Sequence, residues 1–322
     1  MTDAPTTDAG ESATRAGFAA IIGAPNAGKS TLTNRLVGAK VSIVTQKVQT
    51  TRFPVRGVAM IGDAQIVLVD TPGIFTPRRR LDRAMVRSAW GGADEADVIV
   101  HLVDVAAEIA AAEPGAKAAD KRSAFDVEQI VEGLRKSGKK AILALNKIDG
   151  VKRDKLLAIA QKLFYEQVYS EAFMISAANG SGVDDLGAKL ASLMPEGPWL
   201  YPAEQTADLP ARLLAAEITR EKLFLRVHEE LPYAAAIETT AFEERKDGSV
   251  RIEQSIYVER ESQRPIVLGK NGQTLKWIGQ KSREELTEIL DRPVHLFLHV
   301  KVDERWADKR EFYGDVGLDY DA

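Results

Sequence analysis

Residues Gly23–Ser30 read GAPNAGKS, with the apolar run FAAIIG (18–23) leading into them and KSTLTNRLVG (29–38) leading out. The octapeptide fits G-x-x-x-x-G-K-[ST], the loop that joins a strand to a helix and wraps phosphate. Gly23 and Gly28 permit a tight turn across Ala24, Pro25, Asn26 and Ala27, with its N–H groups pointing inward at phosphate oxygens. The helix N-terminus after the loop adds partial positive charge. Lys29 is expected to reach the β- and γ-phosphates and the Ser30 hydroxyl to bind Mg2+, with Thr31 closing the binding segment. Alone, the run could still be a chance Gly-rich turn.

Working outward, residues 17–194 alternate short apolar runs with longer amphipathic ones. FAAIIG, QIVLVD, VIVHLVD, AILALN and EAFMIS read as buried strands of a mostly parallel sheet. Helices are expected over 29–37, 81–91, 124–137, 153–169 and 183–194. The alternation predicts a doubly wound α/β domain, with ligands bound past the C-terminal ends of the strands. Three further motifs fall at such ends. Asp70-Thr71-Pro72-Gly73 offers a carboxylate for Mg2+ and a backbone N–H for the γ-phosphate; an ordinary turn is the competing reading. Asn146-Lys147-Ile148-Asp149 is the run by which GTP-binding proteins choose guanine. The Asp149 carboxylate can accept N1–H and N2–H, a pair that adenine lacks. Asn146 can meet the N7/O6 edge and support the loop, and the Lys147 stem can lie over the base. Ser176-Ala177-Ala178 can offer a backbone N–H to guanine O6. Four short motifs in this order point to a translation-factor-class P-loop GTPase that binds GTP and GDP, and NKID argues against a plain ATPase. Ile74 stands where many such enzymes carry a water-orienting Gln, and its side chain cannot hydrogen-bond.

The chain has 322 residues, 45% hydrophobic and 28% charged, with net charge −4 and no Cys. Two domains are the natural expectation at this length. The charge gives no global sign of nucleic-acid binding. The missing Cys excludes disulfides and thiolate metal sites. No run is long and apolar enough for a membrane-spanning helix. Residues 1–15 read as a disordered tail, 16–195 as the GTPase domain, 196–210 (with four prolines counting Pro195) as a semi-rigid linker, and 211–322 as a second domain with a C-terminal tail. Residues 106–119, rich in Ala, read as a surface loop or a loosely held helix extension.

The second domain changes grammar to α-β-β-α-α-β, with GKNG at 269–272 between its last two helices. That is the order of a type II KH domain, whose G-x-x-G clamps the backbone of single-stranded RNA. Gly269 and Gly272 allow close approach, Lys270 supplies charge, and Asn271 is the other inner residue. From Arg260 to Arg283 six Lys or Arg, Lys276 and Lys281 among them, face one acid, Glu261. A basic island on an acidic domain suits a phosphate-clamping groove, although a solvated helix face would look similar. Trp277 reads as core more readily than as a base-stacking platform.

GAPNAGKST, QTTR at 49–52, DTPGI at 70–74, NKID and the KH stretch through HLFLHVKVDERWADKREFYGDVGLDY together resemble the Era family, from about Gly17 to Tyr320. The resemblance implies a GTPase switch whose segment around QTTR completes the Mg2+ site through Thr50 or Thr51, with Thr51 favoured. It implies that Asn26 helps to seat K+, in place of an arginine finger. It further implies binding of 16S rRNA near its 3′ end, action on the 30S ribosomal subunit as a monomer in the cytoplasm, and peripheral contact with the inner membrane. The competing reading is a GTPase whose second domain docks on protein or a membrane surface. Asn271, at a position often filled by Gly or Lys, puts the strength of the RNA contact in question.

Overall fold

The computed structural model describes residues 14–227 and 231–322. Residues 1–13 of the expected tail lie outside this range. Arg15, expected in that tail, instead opens the first strand and is joined to Glu196.

The first domain runs β1 (Arg15–Ile22), α1 (Lys29–Val37), β2 (Val55–Ile61), β3 (Ala64–Asp70), α2 (Arg80–Glu95), β4 (Val98–Asp104), α3 (Val105–Ala111), α4 (Ala118–Ser137), β5 (Ala141–Asn146), α5 (Arg153–Phe164), β6 (Tyr169–Met174) and α6 (Val183–Leu193). Its sheet order is β6-β5-β4-β1-β3-β2, parallel except for β2, which lies antiparallel to β3. Successive side chains of a strand point to opposite faces. Ala20 and Ile22 therefore join one core with α2, α4 and α5, while Ala19 and Ile21 join another with Leu32 of α1 and Leu186 of α6. Burial on both faces explains why these strands read as continuous apolar runs. β2 was not expected: VRGVAMI carries Arg56 and Gly57, so neither alternation nor a continuous run marks it. Of the loop or helix extension expected over 106–119, the first half is helical: α3 is anchored by buried Val105 and capped when Asp104 accepts from the Ala107 N–H.

The expected linker is tied down. Residues Ala207–Asp208 form β7, which adds to the open edge of β2 as a seventh strand. The Gln65 side chain accepts from the N–H groups of Leu200 and Tyr201. The prolines thus frame an edge strand rather than a tether.

The second domain follows as α7 (Ala211–Arg226), β8 (Ala235–Glu244), β9 (Val250–Val258), α8 (Arg264–Leu268), α9 (Gln273–Leu290), β10 (Val294–Val302) and α10 (Arg310–Asp315). β9 is central, antiparallel to β8 and parallel to β10. Its alternate residues Val250, Ile252, Ile256 and Val258 are buried in cores shared with α7 and α9. Among the described residues, two apolar clusters join the domains. Ile43 enters the core containing Ala215, Ile218 and Leu286, and Tyr313 and Leu318 of the C-terminal segment pack with Phe53, Val55, Ala84 and Met85. Burying such side chains is worth about 1.5–3 kcal/mol each, so the C-terminal segment acts as a strap over the first domain.

Candidate functional site

A cleft of about 890 Å3 opens at the C-terminal ends of β1 and β3. Pro25, Asn26, Gly28, Lys29, Ser30, Thr31, Thr50, Thr51, Gly73, Lys147 and Ala178 line it, together with Phe224 and Leu225 of α7. The loop before α1 needs Gly28: its φ is +102°, and a Cβ would lie 2.4 Å from the Asn146 amide. Lys29 is buried, with Nζ donating to the Gly23 and Ala24 carbonyls at 3.0 Å each. Burial lowers its pKa to about 8, against the opposing charge of Asp70. An ammonium held in so little water interacts strongly with an incoming phosphate.

The Ser30 Oγ and Thr51 Oγ1 lie 2.9 Å apart, and Thr51 Oγ1 is 3.4 Å from Asp70 Oδ2. Thr50 points elsewhere, its hydroxyl bonded to Thr45 and to the Lys47 carbonyl. Of the two threonines, Thr51 therefore stands with the other oxygen donors. Asp70 Oδ1 is buried without a hydrogen-bond partner among the described residues. Burial raises the Asp70 pKa, opposed by the Ser30 hydroxyl and by Lys29. Two hydroxyls and a carboxylate are hard oxygen donors of the kind Mg2+ takes, so the residues fit that ion. When bound, it would neutralise charge on the β- and γ-phosphates.

At the base end, Asn146 takes the supporting role. Its Nδ2 donates to the Ala27 carbonyl at 2.7 Å and its Oδ1 accepts from the Ala177 N–H at 2.9 Å, so each end is engaged with protein, with the second amide hydrogen left over for a base. Ala177 has therefore already spent its N–H, and the Ser176 N–H bonds the Ser181 carbonyl, which leaves Ala178 as the member that lines the cleft. Asp149 is exposed and oriented by the Ser176 hydroxyl at 2.5 Å, a bond that also lowers its pKa. Lys147 lies in the cleft wall, its Nζ 2.5 Å from Asp104. Thr71, expected at the nucleotide, instead bonds the Ile21 carbonyl at 2.8 Å and is fully buried. Ile74 lies in the apolar core beside Ile22 and Val103, and its N–H bonds the Gly23 carbonyl. It positions the loop rather than a water. Asn26 donates to the Gln46 carbonyl at 3.0 Å, linking the phosphate loop to the segment that carries Thr51.

Two residues near the site carried no sequence signal. Arg35 donates to the Ala177 and Ala178 carbonyls. His101, buried on β4, bonds the Tyr169 hydroxyl at 2.8 Å, and burial drops its pKa to about 3. It is a neutral imidazole that reads in the sequence as one polar residue in an apolar run.

In the second domain, GKNG joins α8 to α9. Gly269 has φ +71°, and a Cβ there would lie within 3 Å of the Thr274 backbone and side chain. Asn271 adopts the left-handed region at φ 53°, which Asn tolerates better than most residues. Lys270, Asn271 and Lys276 are exposed. Lys281 is paired with Glu284 at 2.8 Å. Five residues beyond Lys276, it sits about 140° round the helix from it, so the two lysines do not share one face. Trp277 is partly buried against the domain core, with the Arg226 guanidinium 5.4 Å from its ring centroid.

Residues 18–147 match the family of 50S ribosome-binding GTPases, and residues 230–307 match the KH domain family. GTPase Era of Caulobacter vibrioides is 74% identical over 311 residues, 97% of this chain and 98% of that one. GTPase Era of Maricaulis maris is 61% identical over 96% of this chain and 98% of its own. The chain belongs to the Era family of GTPases. Solved Era structures agree along almost the whole length. A variant of Aquifex aeolicus Era bound to GDP and AlF4− has TM-score 0.83 at 37% identity, covering 94% of this chain and 99% of that one. Era in complex with MgGDPNP and nucleotides 1506–1542 of 16S ribosomal RNA has the same TM-score at 38% identity and the same coverage. The chain is thus an enzyme that hydrolyses GTP to GDP and phosphate. Among the described residues no helix is long and apolar enough to cross a membrane.

Proposed function

We propose that this GTPase is a Mg2+-dependent switch that grips 16S rRNA near its 3′ end through the GKNG loop and assists 30S subunit assembly and rRNA maturation in the cytoplasm. The observation that carries the RNA reading is the loop itself. Two positive-φ glycines sit between helices of an α-β-β-α-α-β domain, with Lys270 exposed at its tip. The Era solved with nucleotides 1506–1542 supports the choice of RNA. In this reading Lys29 and the loop N–H groups hold the β- and γ-phosphates, Asp149 reads guanine, and Ser30, Thr51 and Asp70 would hold the ion.

The test is filter binding of a single-stranded RNA with the 16S 3′-end sequence, in GDPNP and in GDP. Binding is expected, and Gly269→Asp with Gly272→Asp should weaken it at least tenfold while GTP hydrolysis persists. No binding in either nucleotide state would favour docking on protein or a membrane surface.

The hydrolytic device is the second part of the proposal. Ile74 is buried and supplies no hydrogen bond to water, so the Gln device for orienting the nucleophile is missing; the resemblance to the Era family implies a cation that acts on the phosphates instead. Asn26, beside the Gln46 carbonyl at the cleft edge, is suited to seat K+. Turnover should be faster in K+ than in Na+ buffer, and Asn26→Ala should abolish the difference. Equal rates in the two buffers would remove K+ from the mechanism.

A further inference from the structure

Thr51 belongs to the first domain, yet both its neighbours in the chain are fastened to the second. The Thr50 carbonyl accepts from Arg220 Nη2 of α7 at 2.6 Å, and Arg52 Nη1 donates to the Ala235 carbonyl at 2.8 Å. Upstream, the Val44 N–H bonds Glu221 Oε1 at 2.9 Å, and Lys47 Nζ bonds the Val227 carbonyl. The segment carrying Thr51 is therefore layered between the nucleotide cleft and α7. Phe224 and Leu225, one turn beyond Arg220, reach the cleft wall themselves.

Arg220 is built for a fixed pose. It is 2% exposed, its Nε donates to Glu217 Oε1 at 2.7 Å, Nη2 also bonds Glu217, and its guanidinium lies 5.2 Å from the Phe224 ring centroid. A planar guanidinium can bind a carboxylate and still aim another N–H at a carbonyl, which a lysine ammonium cannot do with the same geometry. The Thr50 carbonyl, which it reaches outside its own domain, precedes the residue whose hydroxyl stands with Ser30 and Asp70.

We infer that Arg220, on the KH domain, is a positioning residue for GTP hydrolysis: it holds the Thr50 carbonyl so that the Thr51 hydroxyl meets the Mg2+ of the triphosphate state. The inference rests on the proposed role of Thr51. Residues that orient metal ligands typically matter by about 10–100-fold in metal affinity or activity. The contact is reciprocal: whatever moves α7 also alters GTP affinity, and the triphosphate state favours one placement of α7.

The test measures binding of fluorescent GDPNP, as a function of Mg2+, and of GDP, in the full chain. Arg220→Met should weaken GDPNP·Mg2+ binding and lower kcat by roughly tenfold, with GDP affinity unchanged. Because removing one partner of a buried ion pair destabilises a fold, the double variant Arg220→Met with Glu217→Met is made alongside it. That variant should recover the melting temperature but not the GDPNP affinity. Adding Thr51→Ala to Arg220→Met should cost little more than Thr51→Ala alone, since the two act as one unit. If the double variant binds GDPNP·Mg2+ like wild type, or if the Thr51 and Arg220 effects add in full, the inference is overturned while the Thr51 reading stands. If Thr51→Ala leaves Mg2+-dependent GDPNP binding intact, both fall together.

Discussion

The Asp149 end of the cleft and the GKNG loop are built in opposite ways. At the first, Asn146 ties the phosphate loop to the Ala177 turn, and Ser176 fixes Asp149, so the site is interlocked before nucleotide arrives. At the second, the side chains of Lys270 and Asn271 have no hydrogen bond among the described residues, and only the glycine-defined backbone is fixed. The lesson is energetic. A preorganised polar site discriminates between ligands, because a wrong partner leaves buried or fixed groups unpaired. A loop that offers backbone and charge binds any suitable phosphate chain and responds to salt.

Swapping the carboxylate proposed to read guanine tests the interlocked side hardest. Asp149→Asn replaces an acceptor oxygen by an NH2 donor and removes the charge. Losing a charge-assisted hydrogen bond costs about 1.5–3 kcal/mol, so GDP affinity should fall by ~10–100-fold. Xanthine nucleotide, with a carbonyl at the guanine N2 position, should gain on GDP in competition. An unchanged ranking of GDP, XDP and ADP would place guanine recognition elsewhere.

That site was also the more legible in the sequence. GAPNAGKS and NKID mark it because phosphate and guanine chemistry demand fixed residue types at fixed spacing. What the sequence hid was the division of labour. Asn146 and Thr71 belong to the motifs yet spend their side chains on protein, because a loop fixed in place needs internal partners for its buried polar atoms. Of the fold, the parallel strands were legible as apolar runs, whereas β2 and β7 were not, since edge pairing leaves no strong pattern in VRGVAMI or in two residues of a proline-rich stretch. The contacts of Arg220 and of the C-terminal strap were hidden for another reason: nothing local in an amphipathic helix says which distant carbonyl its arginine will meet.

Buried groups near the phosphate loop give the first domain a pH dependence of stability that the exposed KH loop lacks. His101 is neutral in the fold, with a pKa of about 3, against ~6.5 when unfolded. Between these values the unfolded chain binds a proton that the folded chain does not, so stability falls as pH drops below about 6.5 and is unaffected above it. From pH 7 to pH 5 His101 should cost ~2 kcal/mol. Urea unfolding of wild type and His101→Gln at both pH values measures it. Equal pH dependence in the two proteins would mean that folding leaves the His101 pKa near its ordinary value.

The smallest effect separates two lysines of the same basic island. Each phosphate contact on a single strand contributes about 0.7 to the slope of log K against log salt. Lys270 is exposed at the loop tip, so Lys270→Ala should flatten that slope by roughly this amount and weaken RNA binding several-fold at low salt. Lys281 is already paired with Glu284 and turned round α9. Lys281→Ala should leave the slope unchanged, because an exposed pair of this kind is worth only about 0–1 kcal/mol to the fold and offers little uncompensated charge to RNA. A salt titration of RNA binding for the two variants therefore maps where the strand runs. Equal flattening by both would carry the RNA path along α9 past Lys281, and the wider basic island read from the sequence would be the correct one.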